Sequence, residues 1–210
     1  MCLSARVAQV ARSRVGPHGL FNGTINADPE RFPGGIRALA DYVHSKGLKF
    51  GVYSAQHEFT CQRRPGSWEH EALDVRSYCD WGVDYIKLDG CRGGSWPQQN
   101  TSWIKFRAAI DECTKTRGFP MVLSVESCDN PTGCGLWIGQ LANLWRTCGD
   151  IQATFRSVMR NVAQNTKMAV STRTNMAMDA VRLVHDIYHN LGVGWTYRRP
   201  TGRWPLERCW

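Results

Sequence analysis

Apolar residues recur along the chain with two alternating spacings. In residues 32–47, Ile36, Leu39, Ala40 and Val43 share one face of a helix that follows a Pro-Gly-Gly segment and ends at Gly47. Short, nearly continuous apolar runs such as LKFGVYS indicate buried strands. The pattern predicts helices within 32–47, 66–82, 100–118 and 151–167, strands within 48–54, 83–90 and 119–127, and a short helix followed by a strand around 144–146.

These helices and strands alternate at intervals of roughly 35 residues, which is typical of repeated β/α units and a parallel sheet. We therefore expect an α/β fold, either a doubly wound sheet or a (β/α)8 barrel, which the pattern alone does not separate. Residues 1–27 form a poorly patterned lead-in that ends in a Gly/Asn loop, and residues 28–169 carry the β/α pattern. Residues 170–210 form a divergent basic segment. It contains an amphipathic helix around 178–187 and is not expected to complete a barrel.

Charge does not favour a nucleic-acid partner. The net charge is +8, but residues 1–27 and 170–210 contribute +3 each and residues 28–169 only +2. A basic tail can hold a phosphate backbone without sequence readout, yet no nucleic-acid-binding motif accompanies it. The sequence also has no stretch of transmembrane length. We expect neither a nucleic acid nor a membrane as a partner.

The nine cysteines do not predict a metal site. None of them forms a C-x2-C pair, so a zinc framework is not expected, and no cofactor is predicted. The odd number leaves at least one thiol unpaired. The N-terminal residues have no apolar run of signal-peptide length.

Polar, reactive side chains end three of the predicted strands. VDYIKLDG ends in Lys87 and Asp89, VLSVES ends in Glu126, and LWRTCGD ends in Arg146 and Asp150. In an α/β barrel, the catalytic groups lie at the C-terminal ends of the strands. Two carboxyl groups that flank a scissile bond are what glycoside hydrolysis requires.

Structural explanations for the same residues stay open at this point. Lys87 and Asp89 are two positions apart, so they face the same side of a strand and also fit a buried ion pair, while Ile86 and Leu88 face the helices. Asp150 also fits an N-cap of a helix that starts at Ile151.

The motifs GLKFGVYS, TCQRRPGSWEHEALD, WGVDYIKLDGC, MVLSVES and LWRTCGDI, in this order and spacing, resemble glycoside hydrolase family 27. That family contains α-galactosidases, α-N-acetylgalactosaminidases and plant β-L-arabinopyranosidases. The resemblance covers residues 28–169 and implies a (β/α)8 barrel of which strands three to six are recognisable. It also implies an oligosaccharide or glycoconjugate substrate, and an extracellular, cell-wall, vacuolar or lysosomal location.

The resemblance implies a role for each matching residue. Asp89 falls on the nucleophile and Asp150 on the acid/base of a retaining mechanism, whose carboxyl groups face one another roughly 5–5.5 Å apart. The remaining residues that match positions lining the sugar pocket are Lys87, Arg146, Tyr53, and the disulfide pair Cys61 and Cys91. Glu126 is a further candidate, with a supporting role beside Lys87 or Arg146 as its alternative.

The sequence departs from the family at several positions. The Asp-Asp-Cys-Trp motif of the second barrel strand is absent from residues 1–27, and Ala55 replaces the family's usual Asp. We therefore expect a glycosidase that acts on terminal α-D-galactosyl groups. The alternatives are a β-L-arabinopyranosidase, which the segment 125–135 resembles, and a truncated, inactive fragment. The 210-residue chain alone is not expected to turn over either sugar.

Overall fold

The computed structural model describes residues 11–15, 21–91, 96–126, 137–171 and 195–197. The described residues fall into two compact units, which divide after Leu123, inside one strand. The elements alternate between strand and helix from residue 35 to residue 171. In order, they are β1 Ala11–Val15, β2 Phe21–Ala27, α1 Gly35–Ser45, β3 Gly51–Ala55, α2 Glu71–Asp80, β4 Tyr85–Asp89, α3 Trp96–Arg117, β5 Val122–Val125, α4 Ile138–Leu141, β6 Leu144–Arg146, α5 Phe155–Ser171 and β7 Trp195–Tyr197.

In the first unit, β3 and β4 form a parallel pair in which Tyr53 lies opposite Lys87 and Ala55 opposite Asp89. The next strand, β5, begins beside β4, because the N–H of Val122 donates to the carbonyl of Asp84 at 2.8 Å. From β2 to β6, a helix lies between successive strands along the chain. This arrangement confirms the predicted α/β class.

The predicted helices are present with shifted ends. The first predicted helix ends at Ser45, and Gly47 follows it with a φ of +73°. The N–H of Gly47 donates to the carbonyl of His44, and the N–H of Leu48 donates to that of Val43. These bonds satisfy carbonyls that the helix end leaves open, and glycine tolerates the left-handed conformation that they require.

The core of the first unit lies between the sheet and its helices. On the strands, Val52, Ile86 and Leu88 are fully buried. On α3, Trp103 and Phe106 are fully buried, as is Ile110 one turn further on. Their spacing of three and four residues places them on one face of the helix. The hydrophobic effect of this face, at about 1.5–3 kcal/mol per large side chain, holds α3 in place.

In the second unit, β5 and β6 are parallel, with Ser124 opposite Leu144 and Val125 opposite Trp145. Strand β7 adds to β6 in the antiparallel direction. Strand β7 lies within residues 170–210, for which the sequence predicted only that they do not complete the barrel. Because β7 is antiparallel, it does not extend the β/α repeat among the residues that the structure describes. The helix expected at 178–187 lies outside the described residues.

The lead-in also differs from the expectation of an unpatterned segment. Strands β1 and β2 pair in the antiparallel direction, with register shifts between Ala11 and Ser13 and between Ser13 and Val15. Irregular pairing weakens the period-2 alternation by which a strand is recognised in a sequence. In the described part of the chain, no helix has the length and apolar character needed to cross a membrane.

Candidate active site

A first cluster of candidate residues lies at the C-terminal end of β4, in the first unit. Alternation along the strand buries Ile86 and Leu88 completely and turns Lys87 and Asp89 to the opposite side, as the sequence predicted. The side chain of Asp89 retains 12% of its exposure and that of Lys87 26%. This end of the strand is therefore partly open to solvent, whereas its helix-facing side is dry.

Three groups converge on the carboxylate of Asp89. The hydroxyl of Tyr53 donates to Oδ2 at 2.5 Å, and the N–H of Gly90 donates to Oδ1 at 2.8 Å. The Nζ of Lys87 lies 3.8 Å from Oδ2. Two hydrogen bonds and a cation all stabilise the negative form of a carboxylate. The ion pair between Lys87 and Asp89 thus exists, but its side chains are partly exposed and Asp89 also accepts two hydrogen bonds.

Tyr53 reaches Asp89 because β3 and β4 are parallel and in register. The pairing of Tyr53 with Lys87 brings its ring beside β4, and the Nζ of Lys87 lies 5.9 Å from the ring centre. Burial, followed by the hydrogen bond to Asp89, raises the pKa of the Tyr53 hydroxyl. This hydroxyl is therefore a permanent donor to the carboxylate near neutral pH.

A disulfide joins Cys61 and Cys91, with the two Cα atoms 5.0 Å apart. This is the pair that the family resemblance implied. Cys91 is buried and Cys61 is exposed, so the bond connects the interior to the surface. The hydroxyl of Tyr53 lies 3.2 Å from the Sγ of Cys91, which places the disulfide directly beside the Tyr53–Asp89 pair.

A second disulfide was not expected from the sequence. It joins Cys79, at the end of α2, to Cys113 on α3. The only signal in the sequence was the high number of cysteines, because the contact depends on how the two helices pack.

A second cluster of candidate residues lies at the end of β6, in the second unit. Arg146 ends the strand and is buried, with 7% of its surface exposed. One arm of its guanidinium donates to Glu126 and the other to Asp150, and its Nε donates to the carbonyl of Cys148 at 2.6 Å. The planar fork of arginine suits this double contact with two carboxylates. Arg146 therefore organises both acids.

The two acids differ in their surroundings. The side chain of Asp150 keeps 90% of its exposure, whereas that of Glu126 keeps 16%. The second oxygen of Glu126, Oε2, is buried and accepts no hydrogen bond within the described ranges. Arg146 thus has one buried partner that fixes its position and one exposed partner that faces solvent.

The capping explanation for Asp150 is wrong. Helix α5 begins at Phe155 rather than Ile151, and the hydroxyl of Thr154 accepts from the N–H of Ser157 at 3.3 Å. Thr154 is therefore the N-cap. Asp150 is left on the loop between β6 and α5, where the Nδ2 of Asn161 donates to the carbonyl of the preceding Gly149.

The predicted residues thus gather in two clusters. Tyr53, Lys87 and Asp89 lie together with the Cys61–Cys91 disulfide at the end of β4 in the first unit. Glu126, Arg146 and Asp150 lie together at the end of β6 in the second. The segment 127–136, which includes most of the arabinopyranosidase-like stretch, lies outside the described residues.

Comparison with known proteins finds similarity to alpha-galactosidases. The chain is 40% identical over 145 residues to a probable alpha-galactosidase of Dictyostelium discoideum, which covers 67% of this chain and 35% of that protein. It is 42% identical over 131 residues to alpha-galactosidase A of Cellvibrio japonicus. That match covers 62% of this chain and 31% of the relative. This protein thus spans about a third of the length of the curated relatives that it matches.

The fold is similar to that of a solved alpha-galactosidase from Saccharomyces cerevisiae. The TM-score is 0.66 at 24% sequence identity, and the match covers 77% of this chain and 39% of that one. The likeness confirms part of a (β/α)8 barrel rather than a doubly wound sheet. The sequence profile of the family described as alpha galactosidase A matches residues 18–181, a longer segment than the 28–169 recognised from motifs. Because that match spans well over half of the chain, this protein belongs to the alpha galactosidase A family, glycoside hydrolase family 27.

Proposed function

We propose that this protein provides the catalytic carboxylates of a retaining glycosidase that removes terminal α-D-galactosyl groups from oligosaccharides or glycoconjugates. The observation that carries the proposal is the setting of Asp89, whose carboxylate accepts hydrogen bonds from Tyr53 and Gly90 and lies 3.8 Å from the cation of Lys87. Family membership and the α-galactosidase relatives support galactose as the sugar.

In the first step, an oxygen of Asp89 attacks the anomeric carbon, and Asp150 gives its proton to the departing glycosidic oxygen. The products are the free alcohol and a galactosyl ester of Asp89. In the second step, Asp150 takes a proton from water, and the water oxygen attacks the same carbon and releases Asp89. Two inversions give net retention at the anomeric carbon.

The hydrogen bonds to the proposed nucleophile leave lone pairs on its carboxylate for the attack. Each carboxylate oxygen has two lone pairs, and each oxygen of Asp89 accepts one hydrogen bond within the described residues. Lys87 and Tyr53 stabilise the charged form between turnovers. We assign Lys87 a second role as a donor to sugar hydroxyls, since its side chain is partly exposed at the same strand end.

The proposed acid, Asp150, must be free to reach the glycosidic oxygen, and in this structure one arm of the Arg146 guanidinium donates to it. We infer that Arg146 exchanges Asp150 for a sugar hydroxyl when substrate binds, while Glu126 keeps the other arm of the guanidinium in place. Asp150 is suited to this exchange because it is exposed and can take its proton from solvent.

The two disulfides, Cys61–Cys91 and Cys79–Cys113, favour an oxidising compartment such as the secretory route, the cell exterior or a vacuole. This inference agrees with the location that the family resemblance implied.

The proposed function is tested in a chimera, because the chain spans about a third of its relatives. Residues 28–169 replace the matching segment of the Dictyostelium protein, and hydrolysis of nitrophenyl α-galactoside is measured beside nitrophenyl β-L-arabinopyranoside. We expect galactoside hydrolysis with retention, and a loss of at least about a thousandfold in kcat for Asp89→Asn, since a covalent catalyst can lose about a millionfold without its nucleophile. Asp41→Asn, a change at an exposed position on α1, is the matched control and should keep full turnover.

Azide distinguishes the two carboxylates by the stereochemistry of the product. With Asp150→Ala, azide should replace water in the second step and give the α-galactosyl azide. With Asp89→Ala, azide should replace the nucleophile and give the β-galactosyl azide. A folded chimera without galactoside turnover would refute the substrate, and α-azide formation by Asp89→Ala would refute the assignment of roles.

A further inference from the structure

The Cys61–Cys91 disulfide and the carboxylate of Asp89 bring together three side chains whose atoms can bind a metal ion. The Sγ atoms of Cys61 and Cys91 and a carboxylate oxygen of Asp89 all lie within 4.8 Å of one another. In the oxidised protein, the two sulfur atoms are bonded to each other and have no thiolate charge to offer. We propose that reduction of the Cys61–Cys91 disulfide creates a Zn²⁺ site formed by the two thiolates and the carboxylate of Asp89.

The disulfide is accessible to a reductant from one side. Cys61 is exposed, whereas Cys91 is 5% exposed. A phosphine attacks the sulfur of Cys61, and Cys91 leaves as a thiolate, which takes a proton from solvent. Water then hydrolyses the phosphorus–sulfur bond, giving the second thiol and a phosphine oxide. The disulfide gains the two electrons that the phosphine loses.

The donor set matches the chemistry of zinc. Thiolate sulfur binds Zn²⁺ at about 2.3 Å and carboxylate oxygen at about 2.0–2.2 Å, in tetrahedral sites where water can fill the fourth position. Two donors on one such ion lie roughly 3.3–3.8 Å apart, a spacing that follows from those bond lengths and the tetrahedral angle. The Cα atoms of the two cysteines are 5.0 Å apart. Side-chain rotation is therefore enough to separate the freed sulfur atoms, and the backbone can stay in place.

Charge explains why the site depends on reduction. In the oxidised form, the Asp89 carboxylate faces the Lys87 ammonium at 3.8 Å, so the local charge is balanced and a further cation is not attracted. Reduction gives two thiols, which become thiolates when the metal binds. Together with the carboxylate of Asp89, they then carry three negative charges. Zn²⁺ together with Lys87 supplies three positive charges. Because Zn²⁺ displaces the two thiol protons, the reduced site stays neutral when the metal binds, whereas the disulfide has no protons to release.

Tyr53 is the other polar group at this position. Its hydroxyl lies 2.5 Å from Asp89 and 3.2 Å from the Sγ of Cys91. At these distances the hydroxyl is placed to donate to a metal-bound thiolate or to the carboxylate of Asp89. On binding, the two thiol protons pass to solvent.

A metal on Asp89 would block attack by this carboxylate, a consequence that rests on the proposed function. Zinc binding itself does not depend on that function, so it is measured without an activity assay. The experiment uses the 210-residue chain carrying Cys79→Ser and Cys113→Ser, which removes the second disulfide. Zinc uptake is titrated against a chromophoric zinc indicator, before and after reduction with tris(2-carboxyethyl)phosphine.

We expect reduction to add one zinc ion per chain. The further change of Cys61→Ser and Cys91→Ser should abolish this gain, and Asp89→Asn should weaken the affinity roughly tenfold or more, by analogy with the 10–100-fold losses caused by removing outer-shell partners. Asp41→Asn is the matched control and should leave the affinity unchanged. Co²⁺ in place of zinc should give a thiolate-to-metal charge-transfer absorption in the reduced chain alone.

Three results would overturn the proposal, whatever the enzymatic activity. The first is equal zinc uptake before and after reduction. The second is a zinc gain that persists without Cys61 and Cys91. The third is a zinc affinity that Asp89→Asn leaves unchanged while the Co²⁺ charge-transfer band is present. This result would mean that the sulfur atoms bind the metal without the carboxylate.

Discussion

The opposite end of β4 carries a second aspartate, and removing it should destabilise the first unit. The side chain of Asp84 is 1% exposed. It accepts from the N–H of Phe50 at 3.0 Å, lies 2.7 Å from the Nε2 of His44, and accepts from Lys49 at 3.2 Å. Asp84→Ala removes the acceptor shared by these three groups.

The loss in the free energy of unfolding depends on whether each partner of Asp84 can form a hydrogen bond to water instead. Phe50 is buried, so its N–H would lose its acceptor in a dry setting, at about 1–3 kcal/mol. His44 and Lys49 keep 32% and 55% side-chain exposure and can turn to water, so each lost ion pair costs only about 0.2–1 kcal/mol. We expect Asp84→Ala to lower the free energy of unfolding by about 3 kcal/mol, with the backbone donor as the largest contribution.

Asp84→Asn separates the two contributions. The amide oxygen can still accept from Phe50, whereas the charge is lost, so we expect a cost of about 1–2 kcal/mol. Asp41→Ala is the control for a surface aspartate. Its pair with Arg37 is 4.0 Å long, with 67% and 72% side-chain exposure, and its loss should cost less than about 0.5 kcal/mol.

Urea denaturation followed by far-ultraviolet circular dichroism measures these differences. At an m-value of about 2 kcal/mol/M, Asp84→Ala should lower the midpoint by about 1.5 M without changing the slope. An effect of Asp84→Ala as small as that of Asp41→Ala would refute the reasoning. If Asp84→Asn costs as much as Asp84→Ala, then charge rather than the Phe50 acceptor dominates.

Two further predictions concern Tyr53 and α3. The pKa of Tyr53 is raised above the value of about 10 in the unfolded chain, so Tyr53 stabilises the fold at lower pH and this contribution is lost as the pH rises through the folded-state pKa. In an ultraviolet titration, the wild type and Tyr53→Phe should therefore show the same number of tyrosines that ionise near pH 10. One more such tyrosine in the wild type would contradict the raised pKa. Trp103→Ala removes a fully buried ring and should cost about 3–5 kcal/mol, while Ile104→Ala, at a half-exposed neighbour, should cost less than about 1 kcal/mol. Thermal unfolding compares the two, and equal losses would mean that α3 is not packed by this face.

The order of the elements could be read from local pattern because it depends on local physics. The strand Leu144–Arg146 was predicted with its observed bounds, and the helix that ends before Gly47 was predicted from apolar spacing and the glycine. The antiparallel pair β1–β2 was missed, since irregular register erased the alternation. The start of α5 at Phe155 was also missed, because the capping Thr154 and the candidate Asp150 are equally good cap residues in a sequence.

The sequence by itself determined which residues end the strands, because side-chain alternation and apolar runs follow from backbone geometry. It also carried the motifs of the family, since these are contiguous stretches. It did not separate Asp84 from Asp89, which lie at the two ends of one strand, VDYIKLDG. Only the tertiary structure decided that Asp84 binds the buried N–H of Phe50 and that Asp89 meets Tyr53 and Lys87. The physical reason is that hydrogen-bond partners 34 to 36 residues away are selected by strand pairing and helix packing, which no local pattern encodes.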